Sequence, residues 1–233
     1  MVDRSAAGFA ERLAAVRRRI DEAASSAGRD PSSVSLIAVG KTFPAEVVAA
    51  AVEGGAADLG ENRVQEGVAK KPHVPPARWH LIGPLQRNKA RAALEVFDIV
   101  HTIDRPEIAD RLQFLLEQHW PERRLEVLLE INIGDEPQKA GAMPAEAGEL
   151  LEHAAGCSQL DVRGLMAIPP WQDQAEASRP FFRALRELRD TLEQATGRSL
   201  PELSMGMSHD FEIAVAEGAT MVRVGTAIFG PRG

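Results

Sequence analysis

Two stretches carry residue types that could do chemistry together. In "SLIAVGKTF" (35–43) an apolar run stops at Gly40 and Lys41 follows. Far along the chain, "RVGTAIFG" (223–230) stands after "SMGMSHD" (204–210). A lysine past a strand end is ordinarily a solvated charge, because lysines are rarely buried without a partner. Desolvated and close to other cations, its pKa falls, and the neutral amine can form a Schiff base with a carbonyl. In the second pair of stretches, Gly225 admits close backbone approach, while Thr226 and Ser208 add hydroxyls suited to a phosphate. Taken alone the Gly-Thr pair is a weak signal, and helix capping explains Ser208 equally well. What decides is whether the fold brings the two stretches to one mouth.

Apolar, β-rich runs recur about every 30 residues, the spacing of βα units. They cover 34–40, 57–62, 78–83, 98–104, 125–132, 161–168, 202–206 and 221–225, the second and seventh being weak in strand propensity. Helical patterns lie between them. One follows Pro44 over 45–53, a second at 105–119 aligns Ile108, Leu112 and Leu115, and a third at 181–194 aligns Phe181, Leu185, Leu188 and Leu192. An opening helix aligns Phe9, Leu13, Val16 and Ile20. Strands that are mostly apolar rather than alternating imply a parallel sheet covered on both faces. The economical closure is an α/β fold, a single (β/α)8 TIM barrel occupying 1–233 as one domain. Too few residues follow the last strand for the usual final helix, so the extra N-terminal helix is expected to cover that part of the wall. An open doubly wound sheet is the alternative.

In such barrels chemistry sits at the carboxyl ends of the strands. Those positions hold Lys41, Glu61, Asn62, His80, Gly83, His101, Asp104, Asn132, Met166, Ser204, Ser208, Arg223, Gly225 and Thr226. Loops after strands 7 and 8 commonly build a phosphate site. A lysine for an aldehyde at one side of the mouth and a phosphate cradle at the other fit pyridoxal 5′-phosphate (PLP).

Composition sets the outer limits. The 233 residues carry a net charge of -7, opposite in sign to a general nucleic-acid or anionic-membrane binder. With one cysteine, Cys157, no intramolecular disulfide or multi-cysteine metal site can form, and a reducing compartment is expected. The charged N-terminus has no apolar core of signal-peptide length, and no segment is long and apolar enough for a membrane span. A cytoplasmic protein is expected. The chain contains no tyrosine.

The motifs "AVGKTFP", "LGENRVQE", "WHLIGPLQRNKAR", "HTID", "INIGDEPQKAG", "RGLMAI" and "LSMGMSHDFEIAVAEGATMVRVGTAIFG" follow one another along nearly the whole chain. In this it resembles the pyridoxal phosphate homeostasis proteins, single-domain relatives of the alanine-racemase barrel (fold type III of PLP proteins) that have no C-terminal β-domain. The resemblance implies a covalent PLP aldimine at Lys41, with Arg223 facing the pyridine nitrogen. Gly225 and Thr226 match the phosphate-binding pair, Ser208 a hydroxyl near the phosphate, and Asn62 and His80 the pocket wall. Met166 and Ser204 complete the expected cofactor-binding set. Arg63 stands where an aromatic residue often follows "GEN", which leaves the outer side of the cofactor without its aromatic cover.

The resemblance implies a PLP-binding protein of vitamin B6 and amino-acid homeostasis, holding and delivering or buffering PLP, with PLP-dependent apo-enzymes as partners and no assigned catalysis. Two alternatives stay open: a weak, racemase-like PLP enzyme, and a class I sugar-phosphate aldolase using Lys41 directly. Related racemases pair the lysine with a tyrosine on the opposite face, which this chain lacks. An arginine opposite the pyridine nitrogen also disfavours ring protonation and weakens the electron sink. No catalytic residue is therefore assigned. His80 and His101 read equally as structural hydrogen bonders, and without a third ligand at suitable spacing no metal is expected. Asp104 could cap the helix after it, and the "QRNKAR" cluster (86–91) could be a solvated face or a second phosphate contact through Lys89 or Arg91. Lys139 could take part in PLP exchange. With no second domain to build a racemase-like dimer, a monomer is expected.

Overall fold

The computed structural model describes residues 2–136 and 138–231. Eight parallel strands close on themselves in sequence order. They are β1 (Ser35–Val39), β2 (Asp58–Glu61), β3 (Arg78–Leu81), β4 (Ile99–Ile103), β5 (Leu125–Glu130), β6 (Leu160–Met166), β7 (Glu202–Met207) and β8 (Met221–Val224). The seam is made by β8 on β1, with Ile37 opposite Arg223. The two runs weakest in propensity are true strands, because each has a neighbour on both sides and a barrel leaves no edge.

The outer ring comprises α1 (Ala6–Ser26), α2 (Ala45–Glu53), α3 (Val64–Lys70), α4 (Ala90–Val96), α5 (Pro106–His119), α6 (Ala147–Gly156), α7 (Arg179–Thr196), α8 (Phe211–Ala216) and the single turn α9 (Thr226–Phe229). Helix α1 buries Phe9, Leu13, Val16 and Ile20 and packs on α8, α9 and α2, covering the wall that a longer final helix would cover. Ser5 starts it by accepting a hydrogen bond from Gly8 N–H. On α7 the buried aromatic residue is Phe182 rather than Phe181, which stays partly exposed beside buried Leu185 and Leu192. Within the described residues α9 is the last element and no β-domain follows β8.

Inside the barrel, Ile37, Ile99, Leu128, Met166 and Met221 form one apolar cluster. Side chains alternate between lumen and outer wall along each strand. The positions two residues further on are therefore the ones that can reach the mouth, and this period of two sets the depth of every candidate residue. No helix among the described residues is long and apolar enough to cross a membrane.

Candidate functional site

A cavity of about 500 Å³ opens at the carboxyl ends of the strands, a size usual for small-molecule sites. Lys41, Asn62, Ser208, Arg223, Gly225 and Thr226 line it together. The lysine after β1 and the hydroxyl-rich turns after β7 and β8 thus meet across one mouth, because the β8–β1 seam makes their strands neighbours.

His80, Met166 and Ser204, expected on the same wall, are not on the cavity lining. Ile82, Ile168 and Met207 line it on those strands instead. His80 and Met166 each precede the lining residue by two positions, which puts them about 7 Å deeper along the strand. Sequence spacing gives the facing direction but not the depth. Met166 belongs to the apolar cluster of the lumen, while His80 and Ser204 form part of a polar layer beneath the cavity.

That layer is one hydrogen-bonded chain. Arg223 donates to Ser204 Oγ (2.6 Å) and to the carbonyls of Ser204 (2.7 Å) and Ala167 (2.9 Å). Ser204 Oγ lies 2.9 Å from His101 Nδ1, His101 Nε2 lies 2.9 Å from His80 Nδ1, and His80 Nε2 lies 2.9 Å from Asp58 Oδ1. Arginine can only donate and an ionised aspartate can only accept. A single run of donations from Arg223 towards Asp58 satisfies every link, an assignment taken from the two ends. Burial first, and then the neighbouring His80 and Arg223, hold the His101 pKa well below the usual imidazole range. The chain orients the Arg223 guanidinium, and the histidines act as its supports rather than as cavity groups. Burial draws the Arg223 pKa down to about 10, with Glu130 and Asp210 opposing.

The turn that carries Lys41 is gripped from below by residues that the sequence reading left without a role. Lys70, buried on α3, donates to Gly40 O (3.0 Å), Glu61 Oε1 (2.6 Å) and Glu66 Oε2 (3.1 Å). Glu66 Oε2 in turn accepts from Thr42 N–H (2.8 Å). The backbone is thereby fixed on both sides of Lys41, and Thr42 is held at φ 69°, a strained value for a β-branched residue. Burial pushes Glu61 up to about 7 against the pull of the Lys70 ammonium. The available signal was the Glu66/Lys70 spacing of four after "GEN", which a helix would bring onto one face.

Other details amend the expectations. Ser208 does not cap α8; it accepts from Gly225 N–H at 3.1 Å and ties the β7 turn to the β8 turn. Asp104 does not cap α5 and instead pairs with Arg105 at 2.7 Å. A β-carbon on Gly83 would lie 2.2 Å from Asn62 O, so glycine there lets the β3 turn press against the backbone of Asn62. Trp171 and His209, stacked with centroids 4.8 Å apart, both line the cavity, whereas Arg63 does not. Trp171 lies in the irregular loop after β6, where no periodicity points to it. Lys139 lines a smaller chamber of about 210 Å³ that shares Asn62, Ile82 and Ile168 with the main cavity. Its ammonium pairs with Glu136 and donates to Pro169 O (3.1 Å). Lys89 lines a surface groove with Asn62 and Arg63, while Arg91 pairs with Glu95 on α4.

This architecture is shared with known proteins. The sequence model of the alanine racemase N-terminal domain matches residues 12–233. A pyridoxal phosphate homeostasis protein of Aquifex aeolicus is 42% identical over 225 residues, covering 95% of this chain and 97% of the relative. The protein of that name from Escherichia coli K12 is 45% identical over 233 residues, covering 96% and 97%. The chain belongs to the pyridoxal phosphate homeostasis protein family. Among solved structures, PipY of Synechococcus elongatus PCC7942 with PLP bound superposes with a TM-score of 0.83 at 39% identity, covering 95% of this chain and all of that one. Alanine racemase of Clostridium difficile shares the fold, with a TM-score of 0.71 at 14% identity.

Proposed function

We propose that this family member binds PLP in the barrel-mouth cavity through a Schiff base with Lys41 and serves vitamin B6 and amino-acid homeostasis by buffering the cofactor or handing it to PLP-dependent apo-enzymes. The observation that carries the reading is the meeting of Lys41, Arg223 and the Ser208–Gly225–Thr226 turns around one cavity. Lysine supplies the amine for the aldehyde, Arg223 a fixed cation for the ring nitrogen, and the turns N–H and hydroxyl donors for the phosphate. Asn62 lines the wall, and Trp171 with His209 covers the outer side. Met166, Ser204 and His80 act from the layer below, as packing and as supports for Arg223.

Gly225 adds independent support. Its φ is -107°, which any residue adopts, and a β-carbon there would meet nothing closer than Val39 O at 3.4 Å. Packing does not demand a glycine at this position, whereas a ligand phosphate approaching the backbone does. The absence of tyrosine removes the second acid/base group of the related racemases and favours a carrier over an enzyme. A monomer in the cytoplasm completes the proposal; gel filtration tests the first part and cell fractionation the second.

The test is the absorption spectrum of wild type and Lys41→Ala after loading with PLP and desalting. A visible Schiff-base band present in wild type and lost in the variant is expected. Equal bands in both would move the site to another lysine. No band in either would overturn PLP binding and bring forward the aldolase reading. Exchange of the α-hydrogen of added D- or L-alanine would restore the racemase-like reading.

A further inference from the structure

We propose that Asp110, His153 and Cys157 form a binding site for a borderline-soft divalent cation of the zinc class, clamped between α5 and α6 on the outer wall of the barrel. Among the described residues these three make a cluster in which one carboxylate oxygen, one ring nitrogen and the sulfur all lie within 4.8 Å of one another. His153 lies in the last turn of α6 and Cys157 is the residue just past its end, and Asp110 reaches both from the adjoining helix α5. His153 Nε2 already lies 2.7 Å from Asp110 Oδ1, and the Cys157 thiol donates to His153 O at 3.7 Å.

Zinc takes cysteine, histidine and carboxylate ligands at about 2.0–2.3 Å in a tetrahedron, which puts donor atoms roughly 3.5 Å apart. The 2.7 Å between His153 and Asp110 is shorter than that and the sulfur lies within 4.8 Å of both, and the two exposed side chains can close or open by rotamer change. A thiolate and a carboxylate neutralise the dication, leaving a fourth position for water. Gln113 holds Glu117 (2.6 Å) and Ser158 (3.2 Å) beside the trio, where Glu117 adds a second carboxylate that attracts a cation.

As an ordinary surface pair, Asp110 and His153 would be worth little, since both are largely exposed. What sets the place apart is a buried thiol as third donor. Burial, then Asp110 and Glu117, push the Cys157 thiol up, the reverse of an activated nucleophile. A dication at the same point reverses that field and takes the thiolate as ligand. His80 and His101 have no third ligand at suitable spacing, whereas this trio joins residues 43 and 47 positions apart in the chain.

The experiment is titration of PLP-free protein with Zn2+ against a chromophoric chelator, and with Co2+ by absorption. One tight equivalent is expected, with a thiolate-to-cobalt charge-transfer band in the near ultraviolet. Cys157→Ser should abolish that band, and Cys157→Ser and His153→Ala should each weaken zinc binding by at least about 100-fold, more than loss of a supporting-shell contact costs. Asp110→Asn should weaken it by roughly tenfold. Should Cys157→Ser fold poorly, His153→Ala alters an exposed side chain and carries the test alone. Absence of a tight equivalent, or the same affinity in both variants, overturns the proposal and assigns any zinc uptake to other histidines. PLP loading of the variants should equal wild type, so the outcome is independent of the Lys41 reading.

Discussion

Lys70→Met tests the support under Lys41. The substitution keeps an unbranched stem in the same groove and removes the ammonium that holds Gly40 O, Glu61 and Glu66. Glu61 is 1% exposed, and its Oε2 has no hydrogen-bond partner among the described residues even in wild type. Removing one member of a buried ion pair costs about 3–5 kcal/mol. Here Glu61 can partly escape, because burial already holds it up to about 7 and losing the cation raises it further. An acid whose folded pKa is raised contributes stability that is full below its unfolded value and is lost as pH rises through the folded one. Wild type therefore sheds the Glu61 contribution between the ordinary 4.5 and about 7. The variant goes on losing it above about 7, so the penalty should be flat across that window and then grow by about 1.4 kcal/mol per pH unit. Urea unfolding of both proteins over the pH range measures it. Adding Glu61→Leu to Lys70→Met should recover most of the loss, and PLP retention should fall roughly tenfold in the single variant, the worth of about 1.4 kcal/mol of backbone anchoring. A penalty below about 1 kcal/mol that does not grow with pH, or a double variant no better than the single, would refute the argument.

Three further outcomes follow from the geometry. Gly225→Ala should change unfolding free energy by less than about 1 kcal/mol, since the new methyl meets only ordinary contacts, while PLP retention after desalting drops sharply. Glu130, pushed up to about 7 by burial and then by Asp104, destabilises the fold as pH rises from 4.5 through 7. Glu130→Gln should therefore gain on wild type over that window, by on the order of 3 kcal/mol at its upper end, as read from urea midpoints. Phe9 stands edge-on to Phe229 at 5.3 Å, and Phe229 stacks on Phe43 of the Lys41 turn at 5.2 Å. Phe9→Ala should cost about 3–5 kcal/mol by thermal or urea unfolding and also slow Schiff-base formation with PLP.

The strand periodicity and the apolar stripes made the barrel legible, because burying both faces of a parallel sheet imposes a composition that one chain displays by itself. The same pattern pointed to strand ends, and six of the residues read there share one cavity: Lys41, Asn62, Ser208, Arg223, Gly225 and Thr226. Depth was less legible. His80 faces the lumen as its strand position requires, but the two-residue step to Ile82 leaves it beneath the cavity, where it supports Arg223 through His101 and Ser204. Trp171 was invisible because a loop has no period, and its stacking on His209 depends on where two separate loops end.

What the sequence by itself determined is the order of elements, the face each strand residue presents and the kinds of chemistry at hand. What the tertiary structure alone decided is which groups share a charge or a proton. Lys70 becomes the anchor of the Lys41 turn, and Asp110 meets His153 and Cys157, through packing of helices on the barrel. The physical reason is range: periodicity is a local property of the backbone, whereas hydrogen bonds and ion pairs act over a few ångströms between groups whose separation in the chain carries no signal.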